Sequence, residues 1–365
     1  TLNWQATLSI PHRHDHAGAM LNVTSDLAGT AVELPFPLGK TARERRRWTV
    51  SLWLSGPRKG ETWFSAADAL SGAFDLADGR LRRGGLHFGP GTAILPQPKE
   101  ILVTGAVDGL DLSAWGKALQ GLAKDEKSRL ELPMLVVAMD RLHLAEFQSG
   151  KKGGALAPSD LKRLPPMRVD VARFGYGALA FSRLKFRTVA TPGLIRVEDL
   201  VLEGQHMRFV GRGRWNYGLN RSLTKLDVTA ESDDFGRMMT TLGFASVIKH
   251  GVLQAKGEFN WPGTPGDVGL ARINGNLHVK VKDGTMEEVE PGAGRLLGLL
   301  SLDALPRRLL LDFSDLFHKG FRFERIKGDV RFDQGNAYTD NMKMEGASAT
   351  LLVGGRTGLV QHDYD

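Results

Sequence analysis

A strict alternation of apolar and polar residues constrains this chain more than any other feature. The segment Leu277–Lys282 reads LHVKVK, and Phe321–Phe332 repeats the pattern with one change of phase near Glu324–Arg325. A period of two places the apolar set on one face of a β-strand and the charged set on the other. Because a slip of one residue exchanges the two faces, the change of phase predicts a bulge or a tight bend at that point.

Segments of this kind recur along the chain and are separated by glycine-rich turns. Glycine accounts for 44 of 365 residues, where the usual share is roughly 7%. This combination is typical of a mainly β chain built from antiparallel strands. The strand candidates are Thr7–Ile10, Gly18–Val23, Trp48–Leu54, Gly72–Leu76, Leu81–Phe88, Ile101–Val107, Met134–Met139, Arg141–Phe147, Arg168–Ala172, Ala178–Phe186, Leu194–Leu202, Met207–Trp215, Ser222–Glu231, Gly251–Trp261, Ile273–Lys282 and Phe321–Phe332.

A few short segments carry helix signals instead, and longer polar stretches divide the chain. Asp111 or Ser113 is a suitable N-cap for a helix that runs to Leu122, and further short helices are predicted near 234–242 and 294–305. We predict a first β segment at 1–122 and a carboxyl-side β segment at 166–365. Between them, 123–165 would hold a strand pair, Met134–Met139 with Arg141–Phe147, and a long polar loop or linker.

An alternating sheet has to cover its apolar face. A closed barrel or a two-sheet sandwich would cover it with protein side chains. A long sheet curled into a trough would leave it open to lipid tails. The alternation alone does not separate these alternatives.

Composition excludes some functions and leaves others open. The chain has no cysteine, which excludes disulfides, thiol catalysis and zinc–thiolate sites. Its formal net charge of +7 would attract nucleic acid or anionic lipid. The cluster Arg43, Arg45, Arg46 and Arg47 precedes Trp48 but lacks the stacked aromatic platform that grips single strands. A solvated loop is therefore favoured over contact with phosphate headgroups, and nucleic acid is not predicted as a partner.

No motif for catalysis or nucleotide binding stands out. The sequence contains no G-x-S-x-G elbow, no P-loop and no dinucleotide fingerprint. His12, His14 and His16 would share one face of an extended strand, but a polar hairpin loop is favoured over a metal site. The pair Asp233–Asp234 is best explained by helix capping. We therefore predict no catalytic residue, no metal and no cofactor.

Membrane-spanning segments are also missing from the sequence. No window reaches the ~18–20 apolar residues of a spanning helix, and we expect no signal peptide within these residues. We expect this chain to be a piece of a longer protein, because strand-like sequence begins directly at Thr1.

Three longer motifs identify a family. Residues 292–321, GAGRLLGLLSLDALPRRLLLDFSDLFHKGF, resemble the signature near the carboxyl end of the YhdP branch of the AsmA-like family. These are long envelope proteins of Gram-negative bacteria. The resemblance continues through Ile326–Gly346, and Ser25–Lys40, SDLAGTAVELPFPLGK, is similar to a further family block. It therefore covers nearly the whole chain.

The resemblance implies an elongated, curled antiparallel β-sheet that forms a taco-like groove with an apolar floor. It further implies a periplasmic location, an inner-membrane anchor that lies outside this chain, and envelope protein partners. The function implied is a conduit that holds phospholipid acyl chains between the inner and outer membranes and so supports outer-membrane lipid homeostasis and its permeability barrier. The candidate floor residues are Leu200, Leu202, Met207, Phe209, Leu277, Val279, Val281, Phe321, Phe323, Val330 and Phe332.

Two other functions stay open. The chain could be a non-catalytic envelope assembly or scaffold protein whose sheet is filled by its own side chains. It could also be an enzyme that acts on envelope glycans or lipids, which would need converging Asp, Glu or His residues in a cleft. The sequence contains no such constellation, so an enzyme is not predicted.

Overall fold

The computed structural model describes residues 3–12, 18–78, 80–112, 114–115, 133–145, 165–217, 222–244, 248–286, 321–347 and 349–360. Within these ranges the chain is mainly β, as predicted. It divides into two compact units, Thr1–Ala190 and Thr191–Asp365. The predicted limits at 122 and 165 stay a prediction.

The first unit begins with an antiparallel meander, β1 to β6. From β6 onwards the order changes, because β6, β7, β8 and β9 pair side by side in parallel. A short strand, β10, pairs in parallel with β8, and β12 returns antiparallel to β9. The strands are β1 Trp4–Ser9, β2 Met20–Ser25, β3 Trp48–Trp53, β4 Glu61–Ala66, β5 Leu70–Ala77, β6 Arg80–Phe88, β7 Glu100–Leu110, β8 Met134–Leu144, β9 Met167–Val171, β10 Phe174–Tyr176, β11 Leu179–Phe181 and β12 Arg183–Thr191.

These parallel pairings correct two expectations. The prediction of antiparallel strands throughout is wrong for β6 to β9, and the predicted strand pair Met134–Met139 with Arg141–Phe147 is a single strand, β8. Gly105 pairs with Met139 while the next residue, Ala106, pairs with Arg141, so Asp140 is an extra residue in a continuous strand. Parallel neighbours need long crossover connections.

Two clusters of buried apolar side chains lie in the first unit. One buried cluster joins Val107, Met139, Val169 and Val171 across the parallel strands. A second joins Leu38, Ala66 and Leu70, with Trp48, Phe64, Leu86, Phe88 and Trp115 packed against it. The first unit is therefore stabilised largely by contacts between its own apolar side chains.

The second unit is an antiparallel meander in which eight strands pair in chain order. Each strand from β13 to β20 pairs with the next. The strands are β13 Leu194–Gly204, β14 Met207–Asn216, β15 Leu223–Ser232, β16 Ile248–Pro262, β17 Asn274–Met286, β18 Phe321–Asp333, β19 Asn336–Glu345 and β20 Thr350–Gly358. A helix, α1 Phe235–Thr241, lies between β15 and β16, and a 3-10 turn, Pro265–Asp267, follows β16.

The predicted change of phase lies where the sequence indicates it. Glu324 and Arg325 are both exposed, whereas alternation holds on either side of them. The register between β17 and β18 does not shift there. Instead the neighbouring strands bend at the same level, with left-handed backbone at Asp283 (φ 56°) and His250 (φ 60°). The change of phase is therefore a bend shared by adjacent strands. Of the two predicted possibilities, a bulge of β18 against β17 is wrong.

Glycines inside strands make room for aromatic rings. A Cβ atom at Gly284 would lie 2.4 Å from Cζ of Phe323, and one at Gly72 would lie 2.1 Å from Cε1 of Phe64. Such distances are far below van der Waals contact, so each ring occupies the space that a side chain would need. The high glycine content therefore serves strand packing as well as the turns expected from the sequence.

The helix predicted at 234–242 is confirmed as α1. The Asp234 carboxylate accepts a hydrogen bond from the Arg237 backbone N–H at 3.0 Å, which caps the helix. At the earlier site, Asp111 accepts from the Ala114 N–H at 2.9 Å, so Asp111 is the cap expected there. The rest of that helix and the one predicted at 294–305 lie outside the described residues.

Candidate functional site

The second unit carries one continuous apolar face. Directly paired residues of antiparallel strands project to the same side. One row of the pairing runs from Leu200 through Gly211, Val228 and Gly257 to Leu277. The next row along the strands contains Phe209, Ala230, Ala255 and Val279. The apolar side chains of all these strands therefore form a single surface, called the apolar face below.

An irregularity in β13 keeps Leu200 and Leu202 on this face. The register shifts between Val197 and Leu200, where Asp199 has left-handed backbone (φ 54°). Val197 pairs with Gly213 and Leu200 with Gly211, so both project to the same side although three positions separate them. Strict alternation would have placed them on opposite sides.

The structure brings the predicted floor residues together on the apolar face. Five of them are buried, namely Met207, Val281, Phe321, Phe323 and Val330. The other six are partly buried, namely Leu200, Leu202, Phe209, Leu277, Val279 and Phe332. The shared bend restores Phe321 and Phe323 to the buried side of β18. Whether these residues hold a ligand stays a prediction.

Burial is highest at the two ends of the face. At the end nearer α1, Leu253, Val281 and Ile326 are paired neighbours and all are buried. At the other end, Trp215 and Trp261 are buried. Between them lies a central band of partly buried apolar residues: Leu200, Phe209, Leu226, Val228, Phe259, Leu277, Val279 and Phe332. The central band is the part of the face where apolar side chains still reach solvent.

The tryptophan end is held by side-chain hydrogen bonds. Trp215 donates its indole N–H to Ser222 Oγ at 2.8 Å, and Trp261 donates to the carbonyl of Thr264 at 2.9 Å. The ring of Tyr217 packs against Trp215 with centroids 5.1 Å apart. These bonds satisfy the polar atoms of large rings and fix them as a wall at this end of the face.

The opposite face of the second unit is charged. A cross-strand ion pair joins Arg212 to Asp227 at 3.1 Å, and a cross-strand hydrogen bond of 2.7 Å joins His278 Nδ1 to the Asp329 carboxylate. Asn341 also donates a hydrogen bond to the Asp329 carboxylate at 2.7 Å. The bond from Asn341, followed by that from His278, holds the pKa of Asp329 below its usual value. The sheet thus separates an apolar face from a solvated one.

A pocket lies beside α1. It has a volume of about 480 Å³ and is bordered by the turn at Gln205–His206, by α1 and by the start of β16. His206 Nδ1 lies 2.8 Å from Asp233, and its Nε2 lies 3.4 Å from Arg237. Asp234 is occupied by capping α1. The capping role predicted for the Asp233–Asp234 pair is therefore confirmed for Asp234.

Metal-ligand clusters are missing from the part of the chain that the structure describes. In these ranges no three His, Asp or Glu side chains group closely enough to hold an ion. His14 and His16 lie outside the described residues. Nor does any helix among the described residues have the length and apolar character needed to cross a bilayer.

Several residues of the apolar face were not among the predicted floor residues. Leu226, Val228 and Phe259 contribute to the central band, and Met342 and Met344 extend the face onto β19. The alternation Leu226–Val228–Ala230 was available as a signal. Strand β19 alternates less clearly, because its pairing with both neighbours contains a register shift.

The fold and the face define a class of protein: a β-sheet protein with one continuous apolar face and one charged face. The chain belongs to the YhdP protein family, whose model matches residues 1–148 and 133–365. The resemblance recognised from the sequence motifs is therefore confirmed.

A curated relative is similar over part of the chain. It is the intermembrane phospholipid transporter YhdP of Escherichia coli strain K12, 29% identical over 202 residues, which are 55% of this chain. The match spans 16% of that relative's length. No solved structure matches.

Proposed function

We propose that the apolar face is a floor for phospholipid acyl chains, and that the chain is part of a lipid-transfer conduit between the inner and outer membranes of a Gram-negative envelope. The observation that carries the proposal is the central band, where apolar side chains from successive strands stay partly exposed. The relative's role in intermembrane phospholipid transport supports it. In this proposal the sheet curls into a taco-like groove, and the protein is periplasmic and anchored in the inner membrane.

The energetic reason for such a floor is the cost of exposing lipid tails. A two-tailed phospholipid has roughly 30 methylenes, and at ~0.8 kcal/mol each their exposure costs on the order of 20–25 kcal/mol. An apolar floor replaces much of the contact with water at every position, so a lipid slides instead of crossing water in one step. No covalent bond is broken, so the transfer needs no catalytic residue.

The charged face has a complementary role in this proposal. Its cross-strand pairs, such as Arg212 with Asp227, keep the outer surface solvated. Acyl chains would therefore bind to the apolar face and be excluded from the charged face. The face provides a path but no direction, so direction and energy would come from membrane-end partners outside this chain.

A site-specific photo-cross-linker tests the proposal. We would place p-benzoylphenylalanine at Phe209, on the apolar face, and at the adjacent Arg208, on the charged face. Protein expressed in a Gram-negative host would be irradiated, purified and examined by mass spectrometry. We expect phospholipid adducts at position 209 and none at 208, and we expect diacyl phospholipid to copurify with the unmodified protein. Equal adducts at both positions, or none at 209 in lipid-free protein, would contradict the proposal.

A scaffold filled by its own side chains is the second candidate. The observation that favours it is the complete burial of Phe323 and Val281, which are 0% and 1% exposed. If this packing continued across the central band, no acyl chain would fit. Lipid-free protein that gives no adducts at position 209 would support the scaffold.

A further inference from the structure

The segment 26–47 between β2 and β3, called the Lys40 loop below, is firmly held. Lys40 and Val32 pair through both backbone hydrogen bonds. The Lys40 side chain is buried, and its ammonium donates to the carbonyls of Leu27, Thr30, Thr41 and Glu44. A buried ammonium with this set of acceptors fixes the two halves of the loop to each other.

The tip of this loop presents apolar side chains to water. Leu34 is 39% exposed and Phe36 is 56% exposed, whereas Leu38 turns inward and is buried. The indole N–H of Trp115 donates to the Phe36 carbonyl at 2.8 Å, and Arg46 donates to the Pro37 carbonyl at 2.6 Å. The backbone that carries Phe36 is thus held on both sides, while its ring gains little burial from this chain. Phe36 and Leu34 therefore place exposed apolar surface on a loop whose backbone is fixed.

Unpaired positive charge lies next to the tip. The side chains of Arg43, Arg45 and Arg47 are exposed and form no hydrogen bond or ion pair with the described residues. The bond from Arg46 to Pro37 places the guanidinium of one residue of this arginine run at the tip. The loop therefore combines exposed apolar side chains with three exposed arginines, which outnumber its exposed carboxylates, Glu33 and Glu44.

We propose that the Lys40 loop docks on an anionic lipid bilayer. Phe36 and Leu34 enter the interfacial region, and Arg43, Arg45 and Arg47 meet lipid phosphates. Aromatic side chains flanked by cations suit the boundary between headgroups and acyl chains. Single-stranded nucleic acid would need a row of stacking rings. The tip presents the single ring of Phe36, so nucleic acid is not favoured as the partner. The proposal does not rest on acyl-chain carriage by the second unit.

Vesicle flotation tests the docking. Purified protein would be mixed with vesicles of phosphatidylethanolamine and phosphatidylglycerol, or with vesicles of phosphatidylcholine alone. We expect binding to the phosphatidylglycerol vesicles that weakens as salt is raised, since screening shortens the reach of exposed charges. Binding to phosphatidylcholine should be much weaker.

Matched variants distinguish binding through the Lys40 loop from binding through the overall positive charge of the protein. A surface arginine contributes about fivefold to binding of an anionic membrane, so Arg43→Gln with Arg45→Gln should weaken binding about 25-fold. The control, Arg80→Gln with Arg82→Gln, removes two exposed charges from β6 and should leave binding unchanged. Phe36→Ala should weaken binding about tenfold, whereas Phe244→Ala, which removes another exposed ring, should not.

The outcomes are distinct. No flotation with phosphatidylglycerol vesicles would overturn the proposal, as would equal losses in the loop variants and their controls. Unfolding midpoints of all variants should agree, because none of the substituted side chains is buried. Lipid adducts at position 209 should persist in the loop variants, so a failure of docking and a failure of acyl-chain carriage are recognised separately.

Discussion

A charge on the central band should abolish lipid binding without unfolding the sheet, and Val228 is the best place for it. Val228 is partly buried, and its direct partners on both neighbouring strands are glycines, Gly211 and Gly257. Neither direct partner has a side chain of its own, although the Phe259 ring occupies the space above Gly257, so the packing that Val228→Asp loses inside the protein is limited to such neighbouring rings. The adjacent Thr229 projects to the charged face, and Thr229→Asp introduces the same charge as a control.

The magnitude follows from the contacts that an acyl chain would make there. A chain that crosses Val228 places about two or three methylenes over it, worth about 2 kcal/mol. Partial desolvation of the new carboxylate costs about 1–3 kcal/mol more. The sum, about 3–5 kcal/mol, corresponds to more than a hundredfold in affinity. Because a lipid can shift along the floor, we expect at least a tenfold loss for Val228→Asp and no loss for Thr229→Asp.

The assay is titration of lipid-stripped protein with a fluorescent phospholipid, alongside urea unfolding of both variants. Similar unfolding midpoints would show that the fold survives. If Val228→Asp binds lipid as tightly as Thr229→Asp does, acyl chains do not cross this part of the sheet, and the floor hypothesis is wrong.

Three further changes probe the structure around the face. Gly284→Ala should lower the unfolding free energy by about 2 kcal/mol, because the new methyl group meets the fully buried ring of Phe323. Gly269→Ala, where no atom lies within 4 Å of the new methyl group, should lower it much less in the same urea titration. Lys40→Met should destabilise the first unit by about 3 kcal/mol, measured by urea unfolding, since it leaves four partly buried carbonyls without their donor. Wild-type stability in this variant would contradict the role given to the ammonium. Asp329→Asn should lower the unfolding free energy slightly at pH 7 and not at all well below pH 4. The pKa of the Asp329 carboxylate is lowered in the folded state, so the carboxylate stabilises the fold above its unfolded pKa and loses that effect as pH falls through its folded pKa. A loss of stability that stayed constant from pH 7 to pH 3 would contradict this reasoning.

Alternation was enough to predict the strands that form the centre of the second unit. Each carries its own apolar and charged sets, and the period is a local property of the sequence. The phase change was also visible, because Glu324 and Arg325 are adjacent charges in an otherwise alternating segment. What the sequence could not show was that Asp283 and His250 bend at the same level, since this depends on register between strands.

The first unit was harder to predict for a related reason. Parallel and antiparallel strands look alike in a local pattern, and the choice between them depends on long connections. Glu61–Ala66 was missed as a strand because Trp63 and Phe64 are adjacent and hide the alternation. Asp140 seemed to end a strand, yet it is an extra residue within β8. Polar residues at such irregularities resemble turns.

The aromatic rings of the apolar face finally predict where along it a lipid should lie. On β16–β18, Phe259 fills the space above Gly257, and the rings of Phe259 and Phe332 contact each other at 5.8 Å between centroids. On β13–β15 a Cβ atom at Gly213 would meet side chains only at ordinary contact distance, Leu226 Cδ1 at 3.7 Å and Val197 Cβ at 3.8 Å, so the face is less crowded there than above Gly257. Photo-cross-linkers at positions 209 and 332 should therefore give unequal yields of lipid adduct, with the higher yield at 209. Equal yields would mean that the rings of β16–β18 move aside for lipid and that their packing does not restrict the path.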